Sequence, residues 1–202
     1  MSLDKPFVRA SLLVAAIAVL IAGTFSLSHH ERSGTVNSSS LGAQELTAPL
    51  FSPDENLEDE DIKVLGSAKN TIDVAMYSFT DPRIEETLAE AARRGVKVRI
   101  YRDGLQFADE EARSARRGDE SVIDKLRSVS GVQIKIKGHS LSMHLKTYCV
   151  DERVLRTGSA NWSFQGETEQ DNDIYFVQNR ETIKKFEQEF AELWNRPDNS
   201  TP

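Results

Sequence analysis

The apolar pattern of this 202-residue chain predicts an α/β fold, a mixed, mainly parallel β-sheet flanked by helices, in one domain that follows an N-terminal apolar helix. Three features carry that expectation. A strand–helix–strand unit spans residues 71–101. Short apolar segments of strand length recur between residues 132 and 178. A closing amphipathic helix sets Ile183, Phe186, Phe190, Leu193 and Trp194 on one stripe.

Taken in order, Lys5 and Arg9 precede an uncharged apolar run at residues 11–27. A basic segment followed by such a run is the pattern of an export signal, and its length also suits a short membrane anchor. Residues 1–28 are therefore read as signal peptide or anchor, and the protein as exported (periplasmic or secreted) or held at a membrane. Residues 29–49, rich in Ser, Thr, Gly and Ala, read as a flexible linker. The folded domain is expected over 50–196, with 197–202 as a disordered tail.

Within the domain, Ile62, Leu65 and Ala68 mark a short helix, and residues 71–78 alternate as a strand. Asp81-Pro82 supplies a cap and a first-turn proline for a helix that Gly95 ends. Residues 96–101 form the next strand. The charged stretch 103–118 reads as a surface loop or loose helix. Val122, Leu126 and Val129 give another helix, and residues 132–136, 146–150, 154–157 and 174–178 give further strands.

Composition excludes some chemistry. One cysteine, Cys149, allows no intrachain disulfide, and its apolar strand context suits a buried small side chain more than a catalytic thiol. The net charge of -7 runs against handling anions, but residues 54–61 alone hold six carboxylates. That run reads as a solvated helix start far from any anion site, and the rest of the chain is close to neutral. Bases gather at Arg93, Arg94, Lys97, Arg99 and Arg102, at Arg113, Arg116 and Arg117, and at Lys135 and Lys137. Such clusters are usually solvated faces.

The informative segment runs from His144 through Lys146 and Asp151 to Gly158, Ser159 and Asn161. Its pattern, H-x-K-x4-D-x6-G-S-x-N, fixes six positions and would arise by chance roughly once in 10^7 to 10^8 windows. On a strand, His144 and Lys146 share a face. An imidazole there can attack phosphorus while the ammonium neutralises the phosphoryl oxygens. After a hairpin, Ser159 and Asn161 are expected to return to that face as phosphate-binding donors. No metal and no cofactor is needed. Trp162 reads as a packing residue.

The motif resembles the signature of the phospholipase D superfamily. Residues 51–53, 72–80 and 94–99 extend the likeness over the whole expected domain. The single-motif layout is similar to the bacterial endonucleases of that superfamily and to mitochondrial cardiolipin hydrolase, which has an N-terminal membrane segment. The resemblance implies a phospholipase D-like domain and a phosphoric diester hydrolase working through a phosphohistidine. His144, Lys146 and Asp151 are the implied motif residues, with Asp151 bracing the hairpin. A second histidine must protonate the leaving group, so the resemblance implies a homodimer pairing two His144 sites. His139 is a rival acid within one chain; His29 and His30 lie in the linker.

The related endonucleases orient the nucleophilic histidine with a carboxylate; ungapped counting puts that position at Asn172, and a one-residue shift would make the flanking Asp171 or Asp173 the orienter. The substrate is a phospholipid headgroup ester, slightly preferred, with the apolar run 11–27 as membrane attachment. A metal-independent endonuclease acting on nucleic acid is the alternative. A catalytically silent phosphate-binding module is a third, supported by Asn172 alone. Leu105, Phe107 and Leu141 are the apolar residues that could meet a lipid, and aromatic residues do not interleave with the bases as nucleotide stacking requires.

Overall fold

The computed structural model describes residues 48–138 and 141–202. The apolar run 11–27, the linker up to residue 47, and His139 lie outside the described residues. The elements are β1 (Leu50–Ser52), α1 (Leu57–Gly66), β2 (Thr71–Met76), α2 (Pro82–Arg93), β3 (Lys97–Arg102), α3 (Gly104–Arg117), α4 (Val122–Arg127), β4 (Val132–Ile136), β5 (Lys146–Val150), β6 (Val154–Gly158), α5 (Phe164–Thr168), β7 (Asn172–Val177) and α6 (Arg180–Trp194).

Side-chain oxygens cap the helices where the sequence offers them. Asp81 accepts from the backbone N–H groups of Arg83 and Ile84, with Pro82 opening α2. Asp103 caps α3 in the same way, and Gly118 ends that helix in the left-handed conformation. The stretch expected as a loop or loose helix is thus a capped helix of 14 residues.

The strands form a seven-stranded sheet in the order β1-β7-β6-β5-β2-β3-β4. It is mixed and flanked by helices, as expected, but parallel pairing does not predominate. Only β2–β3 and β3–β4 run parallel, and the other four pairs are antiparallel. The reason lies after β4, where the chain returns as β5 antiparallel to β2 and continues as a meander.

Two helical layers cover the sheet. On one face, Leu65, Ile84, Leu88, Ala91, Ile123 and Leu126 pack on Ile72, Val74, Val98, Ile100 and Ile134. On the other, α6 lays its apolar stripe against Ala75, Tyr101, Cys149, Leu155 and Val177. The final residues are ordered too. Ser200 exchanges backbone hydrogen bonds with Ile136 at 2.8 and 2.9 Å, and Asn199 accepts from the Tyr101 hydroxyl at 3.0 Å. The expected disordered tail is instead bridged onto β4.

Candidate active site

Strand direction decides where the motif residues meet. The C-terminal ends of β2, β3 and β6 and the N-terminal ends of β5 and β7 lie along one edge of the sheet. His144 stands just before β5, and Lys146 opens it. Lys146 is buried, whereas His144 is exposed. The Lys146 ammonium lies 3.1 Å from His144 Nδ1 and donates to the His144 carbonyl at 2.9 Å. Tyr77, just beyond β2, completes the cluster. Its ring lies 4.4 Å from the imidazole, and its face lies 4.9 Å from the Lys146 nitrogen. Burial first, and then the positive charge of Arg156, push the Lys146 ammonium down to about 8.

Ser159 and Asn161 follow β6 at the same edge, but their present bonds point elsewhere. Ser159 Oγ donates to Asn172 Oδ1 at 2.9 Å and accepts from the Asp173 N–H at 3.0 Å. Asn161 Oδ1 accepts from the Ser78 N–H at 3.2 Å, which leaves its amide nitrogen as the donating end. Gly158 has φ of 152°, and a Cβ there would stand 2.1 Å from the Asp173 carbonyl oxygen. Only glycine permits that close approach of β6 to β7.

Asp151 lies past the opposite end of β5, about 17 Å of strand from Lys146 at ~3.3 Å per residue. Its carboxylate accepts three backbone N–H groups, from Lys69, Asn70 and Thr71, at 2.7–2.9 Å. It braces the hairpin and does not face a substrate at His144. Neither Asp171 nor Asp173 is hydrogen-bonded to His144 among the described residues. Asp173 Oδ1 instead accepts from the Ser159 N–H at 3.1 Å. Asn172, committed to Ser159 and to the Gly166 carbonyl, does not take that role either. The group at Nδ1 is Lys146.

The charge runs also resolve differently from their sequence reading. The acidic run is not wholly solvated: Asp61 is fully buried and bonded to Tyr148, Trp162 and Arg156. Among the bases, Arg99 pairs with Asp73, Arg93 with Glu86, Arg113 with Asp109 and Arg117 with Asp119, while Arg102 is buried against Glu110. Cys149 is buried, and burial with Glu187 nearby holds its thiol far above the ordinary range. Trp162 is buried between Phe79 and Tyr148. No cluster of three or more His, Cys, Asp or Glu suited to a metal ion occurs among the described residues.

Sequence reading missed Tyr77, Arg156 and Glu167. Tyr77 sits in a stretch read as a strand and as part of the resemblance, with no role given to the residue itself. Arg156 breaks an otherwise apolar strand, and a charged residue at an inward position was the available signal.

The fold agrees with that of known proteins. The family model described as cardiolipin synthase, PLD-like domain, matches residues 62–194. The chain belongs to this family of phospholipase D-like domains. It is similar to the mitochondrial cardiolipin hydrolase of Chlamydomonas reinhardtii, with 30% identity over 131 residues, covering 65% of this chain and 54% of that one. The Xenopus laevis protein of the same name is 28% identical over 158 residues, covering 78% and 70%. The match thus spans about half the length of the Chlamydomonas protein. Among solved structures, Nuc from Salmonella typhimurium, a phospholipase D family member, superposes with a TM-score of 0.66 at 24% identity, covering 78% of this chain and 99% of that one. NucT from Helicobacter pylori gives 0.69 at 21%, covering 78% and 100%. These two likenesses show the fold.

Proposed function

We propose that this chain hydrolyses phosphodiesters, preferring a phospholipid, with His144 as nucleophile and no metal. The observation that carries the reading is the Lys146 ammonium standing 3.1 Å from Nδ1 of an exposed His144. While the ammonium donates to Nδ1, the ring proton sits on Nε2. An incoming phosphoryl oxygen draws the ammonium to itself, and Nδ1 can then carry the proton and leave the Nε2 lone pair open. Nε2 attacks phosphorus, the bond to the leaving oxygen breaks, and that oxygen takes a proton from His144 of a second copy. Water then gives a proton to that second His144 as it attacks phosphorus, breaks the N–P bond and restores the imidazole. Ser159 and Asn161 donate to the phosphoryl oxygens as charge builds.

Two observations favour a lipid. Leu141 and Leu145, which flank His144 in sequence, are exposed by 70% and 38%. Several bases of the kind that track a nucleic-acid backbone are engaged with carboxylates. The apolar run 11–27 would keep the domain at its lipid.

The test offers the full chain phosphatidyl lipid vesicles and single- and double-stranded nucleic acid, each with and without chelator. Headgroup release insensitive to chelator is expected. Nucleic-acid cleavage without lipid hydrolysis would replace the lipid reading with an endonuclease, and loss of activity in chelator would overturn the metal-free route. His144→Ala is expected to abolish turnover while the circular dichroism spectrum is kept. Sedimentation is expected to show a dimer, since an active strict monomer would need a different proton donor.

A further inference from the structure

Arg156 lies in mid-β6, fully buried, on the face it shares with Tyr148. A buried guanidinium is costly unless it is paired and hydrogen-bonded, and in Arg156 both terminal nitrogens are, while Nε has no partner. Here Nη1 donates to two backbone carbonyls, Lys146 at 2.9 Å and Ala160 at 3.0 Å. Nη2 faces two carboxyls, Glu167 at 3.1 Å and Asp61 at 3.0 Å. Asp61 is itself held by the Tyr148 hydroxyl at 2.9 Å and the Trp162 indole N–H at 2.8 Å. The two carbonyls carry the meaning of the arrangement. The β5–β6 register runs from Val150↔Val154 to Tyr148↔Arg156 and goes no further. Toward the active-site edge it is the guanidinium that links the Lys146 carbonyl to the segment after β6.

We propose that Arg156 is a positioning residue whose guanidinium bridges the segment carrying His144 and Lys146 to the segment carrying Ser159 and Asn161, and so sets the width of the slot that grips the phosphoryl group. This rests on the function proposed above. Ala160 lies between Ser159 and Asn161, so fixing its carbonyl fixes both donors. Arginine suits the task because its planar fork serves two carbonyls and two carboxyls at once, whereas a lysine has one nitrogen and cannot span both strands. The same charge is the second cause, after burial, of the lowered Lys146.

A buried ion network could instead merely hold the fold together, and catalysis separates the two roles. The test measures kcat and KM on bis-p-nitrophenyl phosphate, the pH–rate profile and thermal unfolding for wild type, Arg156→Lys, and the Arg156→Met/Asp61→Asn double variant. The double variant removes both buried charges together, so it remains foldable if the lysine alone does not. Displacing reacting groups by about 1 Å costs on the order of 100-fold. Folded Arg156→Lys is expected to lose that much in kcat with KM little changed and the alkaline limb kept in place. The double variant is expected to lose kcat similarly and to shift the limb upward, as the charge facing Lys146 is gone. A folded variant of either kind with kcat within twofold of wild type overturns the clamp. Wild type without His144-dependent turnover overturns the function reading and the clamp with it, which distinguishes that outcome from failure of the clamp alone.

Discussion

Lys146 is the side chain whose chemistry the fold alters most among the motif residues. Its ammonium is buried beside Arg156 and loses its proton near pH 8 instead of above 10. The protonated form is the one that neutralises a phosphoryl oxygen, so activity is present below that value and falls as pH rises through about 8. The pH–rate profile on bis-p-nitrophenyl phosphate isolates this effect, because its good leaving group needs little help from an acid. An alkaline limb at the ordinary lysine position would contradict the assignment. The pairing of His144 with Lys146 was legible in the sequence, since two residues two apart at a strand start share a side. Tyr77 was not, because its contact with His144 depends on β2 pairing with β5 across about 70 residues of chain. The expected carboxylate orienter failed for a related reason. Asn172 is spent on Ser159 and Gly166 and Asp173 on Ser159, partners that counting along the chain does not reveal.

Among elements, the β5–β6 hairpin shows how a motif residue can act far from the chemistry. Asp151 and Glu152 both take left-handed φ, 53° and 52°, and the Arg153 N–H closes the turn on the Val150 carbonyl at 2.9 Å. Asp151 ties this turn to the start of β2 through its three backbone bonds. Burial raises its carboxyl, the three donors more than offset that, and the net shift is downward. Its contribution to stability is therefore present above the ordinary aspartate value and disappears as pH falls through the lowered one. Asp151→Ala is expected to cost about 1–3 kcal/mol in urea unfolding, with kcat per folded molecule unchanged. Lost turnover at full stability would restore a catalytic role. The helix caps were readable from single residues, as Asp81-Pro82 shows. Helix α3 was not, because its one buried side chain is the charged Glu110 and only Phe107 of its large apolar residues packs on the core. Glu110 instead accepts from Arg102, Ser78 and Gln106.

For the whole molecule, net charge proved a poor guide because charges were sorted by burial, not by sequence cluster. One surface-looking acidic run donates Asp61 to the core, and one apolar strand carries Arg156 to meet it. Glu167 joins them, so two carboxyls surround one guanidinium. Burial above all, then the neighbouring Asp61, raises Glu167 to about 9 against the pull of Arg156. Glu167 is the carboxyl that keeps its proton at neutral pH, since Asp61 has three donors while Glu167 Oε2 has no partner. The folded state therefore binds a proton that the unfolded chain releases above its ordinary glutamate value. Linkage makes this contribution complete below about 4.5, with a loss of up to about 1.4 kcal/mol per pH unit as pH rises toward about 9. Other groups titrate in that window, so the informative measurement is a difference. Glu167→Gln copies the protonated acid, keeps an oxygen for Arg156 and cannot ionise. Its unfolding free energy, relative to wild type, is expected to grow steadily between pH 5 and 9 in urea titrations. A difference that stays flat across that range would mean that Glu167 is ionised in the folded protein and that the buried cluster carries a net negative charge beneath the His144 edge.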